Sequence, residues 1–203
     1  ETVIKKDGAL LFRYEGRESI CGMEVIGEDV YTLGQNCDGD GFVFRKNGEP
    51  LVSRKEAYVL GNLQNESDTL CFSFCEQVMT AEGMIERYYN VMNGCVDQLA
   101  VHQDIGRVWD TIVHKGRVIY LASLTGTMST VIVDGGKTYY LSMPRPDSRI
   151  ISGRLFSAGD FVVIDLLYVT SDMLRLNILW LGKMVLNTFA PGSSVSAIST
   201  TGD

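Results

Sequence analysis

Apolar and polar residues alternate along this chain in runs of strand length, and glycine, asparagine and aspartate break the runs at short intervals. Asp29-Val30-Tyr31-Thr32-Leu33-Gly34 reads as one strand. After a polar loop, Gly41-Phe42-Val43-Phe44-Arg45-Lys46-Asn47-Gly48 reads as a second strand and a tight turn, and Pro50-Leu51-Val52 starts a third. Asn-Gly favours positive φ at both central turn positions, which suits the twist of paired strands. The same chemistry follows other β-rich runs at Asp7-Gly8, Asn93-Gly94 and Asp134-Gly135, with a weaker copy at Leu181-Gly182. Residues 7, 47, 93, 134 and 181 precede these glycines, in steps of 40, 46, 41 and 47.

A second marker runs between the first ones. A polar residue precedes a strand-like run at Asp29, Gln77, Arg117 and Asp160, in steps of 48, 40 and 43. One more step of 43 reaches Asp203, inside Thr201-Gly202-Asp203, which matches Gly159-Asp160. Two interleaved markers with a period of about 40–45, and four short strands per unit, are the mark of propeller blades.

Taken in order, the pattern predicts an all-β, single-domain, five-bladed β-propeller. The blades cover approximately 20–54, 69–101, 108–143 and 151–189, and residues 1–14 join 193–203 in the fifth. In that fifth blade an N-terminal hairpin pairs with a C-terminal strand, Val195–Thr200, and so removes the open sheet edges. Lys55–Ser67 reads as a connector, with residues 55–64 the one helix candidate, interrupted by Gly61. A pair of β-sandwiches is the other architecture that many short strands and frequent turns fit.

Composition narrows the function classes. The formal net charge of −7 argues against a general nucleic-acid binder, which needs a basic face to neutralise phosphates. No apolar run is long enough for a transmembrane helix, since Phe161–Val169 is of strand length and carries Asp165. No secretory signal is read at the N-terminus, and a start at Glu1 in mid-repeat fits a processed terminus. The cysteines Cys21, Cys37, Cys71, Cys75 and Cys95 are odd in number and unevenly spaced. Cys71 and Cys75 share a strand face too far apart for an ordinary disulfide, and no second ligand pair suggests zinc. Most of these thiols are expected to be small buried hydrophobes, with Cys37 exposed in a polar loop.

The units resemble uncharacterised propeller-like repeats built on a GDVYxxG strand and an xWKNGx hairpin. The matching residues are Glu28-Asp29-Val30-Tyr31-Thr32-Leu33-Gly34 and Phe44-Arg45-Lys46-Asn47-Gly48, with a partial copy at Gly159-Asp160-Phe161-Val162. Phe44 stands where those repeats carry tryptophan, and Arg45 breaks the aromatic-Lys-Asn-Gly spacing. The resemblance implies a secreted or cell-envelope protein, and it carries no catalytic residues across.

Three groups of residues are candidates for chemistry. Asn36, Asp38 and Asp40 alternate like the opening of a calcium loop, although position 12 is Asn47 and not the bidentate glutamate of an EF-hand. Glu18, Glu24, Asp68, Asp104 and Asp110 fall in or just before first-position strands, which line the channel of a propeller. Glu24 and Asp110 are the candidate catalytic pair for glycoside hydrolysis, which needs two carboxylates flanking the scissile bond. His102 and His114 are the two histidines, and Cys75 with His114 has no supporting nucleophile context. Trp109, Trp180, Tyr120, Tyr139, Tyr140 and Tyr168 lie in strands, where most pack between blades and one or two could stack on a sugar. No phosphate loop or nucleophile elbow is present. The expectation is a non-enzymatic scaffold for a glycan or an envelope-protein partner, without a cofactor unless calcium occupies the Asn36 loop. A carbohydrate-active enzyme is the alternative.

Overall fold

The computed structural model describes residues 1–38, 41–99, 104–127, 129–141, 149–169, 173–180 and 184–188, with 149, 169, 173–180 and 184–188 taken for their backbone. The described residues form antiparallel sheets and no helix, so none of them builds a helix able to cross a membrane. The chain divides into two compact units, Glu1–Ala100 and Val101–Asp203.

In the first unit, β1 (Thr2–Lys6) and β2 (Ala9–Tyr14) form a hairpin. One four-stranded sheet follows, of β3 (Glu18–Ile26), β4 (Asp29–Asn36), β5 (Phe42–Lys46) and β6 (Glu49–Arg54). Another holds β7 (Ala57–Glu66), β8 (Thr69–Thr80), β9 (Gly83–Met92) and β10 (Cys95–Gln98). In the second unit one sheet comprises β11 (Ile105–His114), β12 (Arg117–Leu124), β13 (Thr130–Asp134) and β14 (Lys137–Leu141). The last comprises β15 (Arg149–Ala158), β16 (Phe161–Val169), β17 (Met173–Trp180) and β18 (Met184–Thr188). Each of the four sheets is a plain meander, in which strands consecutive in sequence are neighbours in space.

The turns explain why the pattern repeats. Asp7-Gly8, Asn47-Gly48, Asn93-Gly94 and Gly135-Gly136 close the last hairpin of their sheets, and all eight residues have positive φ. That is the type I′ geometry whose twist matches right-twisted strands. Asparagine contributes more than conformation. The Asn47 backbone N–H donates to Val30 O at 2.8 Å, and the Asn47 Oδ1 accepts the Val30 N–H at 2.8 Å. Asn93 repeats this clamp on Leu70, at 2.8 Å and 2.9 Å. The turn between the third and fourth strands thereby fastens the start of the second.

Within each unit, sheets pack face to face on apolar residues. Leu33, Phe42 and Phe44 meet Leu70, Phe72, Phe74 and Val91 in the first unit. Ring centroids there lie 4.8 Å apart for Phe42–Phe74 and 5.2 Å for Phe44–Phe72, within the range of favourable aromatic pairs. The second unit uses aliphatic residues, Ile112, Ile119, Leu121 and Ile132 against Leu155, Val162, Ile164 and Leu166. First strands approach closely as well. A Cβ on Gly22 of β3 would lie 2.5 Å from Leu63 Cβ of β7, so this position admits only glycine without a shift.

Several expected boundaries are corrected. Lys55–Ser67 is no connector, and its residues 55–64 are no helix: Ala57–Glu66 is the strand β7. The buried residues Ala57, Leu60 and Leu63 are spaced in threes because a bulge around Gly61, at φ 71°, interrupts the alternation. The expected break at Glu76-Gln77 does not exist, and Gln77 lies inside the twelve-residue β8. The equivalent of Asp29 there is Thr69, the first residue of that sheet's second strand. The turn placed at Asp134-Gly135 sits one residue later, with Asp134 ending β13. Leu181-Gly182 and the strand expected at Val195–Thr200 lie outside the described residues.

Replacing Asn93 separates the clamp from the turn. Asn93→Gly keeps the left-handed conformation and loses the acceptor for the Leu70 N–H, which is expected to cost about 1 kcal/mol. Asn93→Ala loses both, for a total of about 2 kcal/mol. Urea unfolding of the two variants beside the natural protein measures the difference; equal midpoints for all three would remove the clamp.

Candidate functional site

The acids expected along the first strands do not share one fate. Glu18, at the start of β3, is buried and accepts from both ends of the Arg45 guanidinium, each at 2.7 Å. The same guanidinium lies 4.1 Å from the centroid of the Tyr14 ring, and Tyr14 Oη hydrogen-bonds Thr32 Oγ1 at 3.4 Å. A fork-to-fork pair of this kind satisfies both carboxylate oxygens and ties β3 to β5 across β4, while the hairpin reaches it through the Tyr14 ring. Gly34 makes room for it, since a Cβ there would lie 2.4 Å from Glu18 Oε2. Glu24 is half-buried on β3, opposite Tyr31 of β4.

Asp110 belongs to the second unit and sits at a bulge of β11. Its Oδ1 accepts the Thr111 N–H at 2.8 Å, and its Oδ2 accepts the Leu155 N–H of β15 at 2.7 Å. Burial pushes its carboxyl up to about 7, against the opposing pull of the Leu155 and Thr111 N–H groups and of Arg154. Desolvation is the largest cause, because a buried carboxylate gives up hydration that two amide donors do not fully replace. Two further links join the same strand pair. His114 Nδ1 shares a hydrogen bond with Ser157 Oγ at 2.8 Å, and Lys115 Nζ pairs with Asp160 beyond the strand ends. That pairing holds the exposed Asp160 carboxyl below its usual range.

The remaining candidates disperse. Asp68 stands in the β7–β8 turn at φ 63°, not ahead of a first strand, and Asp104 is exposed just before β11. Asn36 ends β4, and its N–H donates to Gly41 O at 2.9 Å. Asp38 is exposed, while Asp40 lies outside the described residues, as does His102. Among the described residues no group of three or more His, Cys, Asp or Glu converges as a metal site. No disulfide joins the five cysteines: Cys71 and Cys75 are buried and Cys37 exposed as expected, but Cys95 is also exposed. Cys75 is in the first unit and His114 in the second, where the imidazole is engaged by Ser157. Trp109 donates to Ser123 Oγ at 2.6 Å and carries the Arg107 guanidinium 4.4 Å from its ring centroid. Tyr120 and Tyr168 are buried, Tyr139 is half-buried and Tyr140 is exposed. The Trp180 side chain lies outside what is described.

Sequence reading missed the partners of these groups. Arg45 carried the available signal, as a charged residue where an aromatic-Lys-Asn-Gly hairpin calls for none. Glu86 gave no signal at all. It accepts the Tyr58 hydroxyl at 2.9 Å and also that of Tyr88. Desolvation raises the Tyr58 phenol above its ordinary range, and Cys75 and Glu86 add to the shift.

Compared with known proteins, the chain matches no family model, and none of the curated proteins matches it.

Two outcomes follow from the buried acids. Asp110 titrates higher in the folded chain than its ordinary 3.8, so between about pH 4 and 7 the folded state binds more protons than the unfolded state. Stability therefore falls as pH rises through that window and levels off above it. Urea midpoints are expected to drop from pH 5 to pH 8 by the equivalent of a few kcal/mol, at about 1.4 kcal/mol per unit of pKa, and Asp110→Asn flattens the slope. Glu18→Ala strands a buried guanidinium and should cost about 3–5 kcal/mol, whereas Glu1→Ala at an exposed pair should cost at most about 1 kcal/mol. Similar losses for both would refute the buried-pair account.

Proposed function

We propose that this chain is a non-enzymatic binding scaffold, a five-bladed β-propeller that offers loops and turn faces to a glycan or a protein partner. Four meanders of one topology and four recurring type I′ turns support the propeller reading, because blades are meanders repeated about an axis. First strands approach one another within each unit, β3 beside β7 and β11 beside β15, as inner strands of adjacent blades do. The hairpin β1–β2 supplies outer strands of the fifth blade, and Val195–Thr200 supplies its inner strand.

One observation carries the non-enzymatic part. The two buried first-strand acids, Glu18 and Asp110, are each consumed by structure, one by a guanidinium and the other by two backbone N–H groups. An acid that flanks a scissile bond has to keep an oxygen free for substrate. Calcium at Asn36, Asp38 and Asp40 remains part of the proposal as a loop-ordering ion. The secreted or cell-envelope location implied by the repeats stays part of the proposal.

A hydrolase reading has one observation in its favour: Asp110 near 7 matches a general acid working at neutral pH. Oligosaccharide arrays probed with the full chain, followed by mass spectrometry of the retained sugars, separate the two. The scaffold predicts capture of intact glycans over hours. Released products, abolished in both Glu24→Gln and Asp110→Asn while unfolding midpoints hold, would install the hydrolase instead.

A further inference from the structure

Strand β11 departs from the other first strands near its start. Trp109 bulges out of the ladder with β12, as Cys21 does from the β3–β4 ladder, each five residues before the end of its strand. The strands β3 and β15 have one such bulge each, but β11 has a second at Gly106. Glycine permits it, since a Cβ there would lie 3.2 Å from Thr125 Cα and 3.3 Å from Thr125 Oγ1. Bulges re-aim the side chains beside them. Here the neighbour is Arg107, whose guanidinium lies 4.4 Å from the centroid of the Trp109 ring.

The indole under that guanidinium is fixed twice. Its Nε1 donates to Ser123 Oγ at 2.6 Å, and the ring packs on the apolar core of its unit. Ser123 is also the ladder partner of Arg107. In the sheet β3–β6 the same two places hold Ser19 and Cys21, so guanidinium and indole are additions particular to β11.

Other arginines are neutralised within the chain: Arg45, Arg54 and Arg117 pair with Glu18, Glu76 and Asp134. Arg107 is exposed, and among the described residues no carboxylate pairs with it. The acids nearest in sequence are engaged elsewhere. Asp104 has a partner of its own, and Asp110 accepts the Leu155 N–H. Stacking on tryptophan restricts the guanidinium without using its N–H groups, so a planar fork stands ready for a planar anion. A carboxylate meets such a fork with two parallel hydrogen bonds. The Ser123 and Thr125 hydroxyls and the half-exposed indole add neutral hydrogen-bonding and apolar surface, which suit the hydroxyls and ring carbons of a sugar. The net charge of −7 opposes an anion only at short range, because the Debye length is about 8 Å in physiological salt.

We infer that Arg107, stacked on Trp109 and flanked by Ser123 and Thr125, is a subsite for the carboxylate of an acidic sugar, a uronate or sialate residue. This rests on the glycan-binding reading and narrows it from glycans at large to carboxylated ones.

An array of uronate and sialate oligosaccharides, each printed beside its methyl ester, tests the subsite in the full chain, because the ester keeps the sugar and removes the charge. The natural chain is expected to hold the acids at least about tenfold more tightly than the esters. Arg107→Gln, at an exposed side chain, should abolish that preference and leave ester binding and the urea midpoint unchanged. Arg107→Lys keeps a charge without the fork, and full recovery of the preference there would overturn recognition by the fork. A preference kept in Arg107→Gln overturns the subsite and leaves the glycan scaffold standing. Binding of neither acids nor esters overturns both. Displacement by inorganic sulfate as effective as that by free glucuronate at equal concentration overturns the sugar in favour of a bare anion site.

Discussion

A pair of residues held at positive φ between the third and fourth strands is the constraint that the sheets depend on. Left-handed conformation at both centres gives the turn the twist of the strands it joins. Asparagine at the first centre converts that local event into a longer connection, because its backbone N–H and side-chain oxygen close on Val30 or Leu70, seventeen or twenty-three residues earlier. Strand two is thereby registered against strand three. A one-residue slip would turn the phenylalanines of β5 and β8 outward, so the clamp and the aromatic core specify the same register.

Chemistry around the clamp varies while geometry is kept. Lys46 pairs with Asp29 at 2.7 Å at the end of the β4–β5 ladder, and the Asp29 carboxyl is held below its usual range by Lys46 and then Asn47. In the sheet β11–β14 the same two positions carry Arg117 and Asp134, 3.0 Å apart with the signs exchanged. Gly135 takes the turn position that asparagine holds elsewhere and offers no side-chain acceptor. An opposite-charge pair of either polarity satisfies the site, which is why a motif written in residue letters fades across the repeats faster than the structure does.

That explains what was legible. Turn chemistry with alternation located the hairpins at Asp7-Gly8, Asn47-Gly48 and Asn93-Gly94, and it placed β4, β5 and the start of β6 to within two residues. It failed where a bulge or a doubly buried strand broke the period of two. In β7, Gly61 resets the alternation, so Ala57, Leu60 and Leu63 mimic a helical spacing. In β8, residues 70–75 are buried on both faces and Glu76-Gln77 resembles a turn, although the strand runs on to Thr80. Long-range polar partners were the least legible part. Nothing local to Glu18 announces Arg45, and nothing local to Asp110 announces the Leu155 N–H, since each partner is brought by folding from another strand.

Those partners also decide how the acids should be read. On the propeller expected from the sequence, Glu18 and Asp110 fall on or just before first strands, the expected place for catalytic carboxylates. Yet Asp110 sits where two segments of one unit, β11 and β15, must be joined without a shared ladder, and Glu18 ties β3 to β5 across β4 beneath the hairpin's Tyr14. Backbone ladders cannot cross such a seam, and apolar contact there is non-directional. A carboxylate with two fixed acceptors is directional and fixes the offset of one element on the next. The cost is a buried charge, large for Asp110 because its donors are neutral amides and smaller for Glu18 because a guanidinium neutralises it. Holding the β11–β15 seam in register is sufficient reason for Asp110 to be buried, and neutralising Arg45 under Tyr14 is sufficient for Glu18, so burial alone gives no ground for assigning them to chemistry.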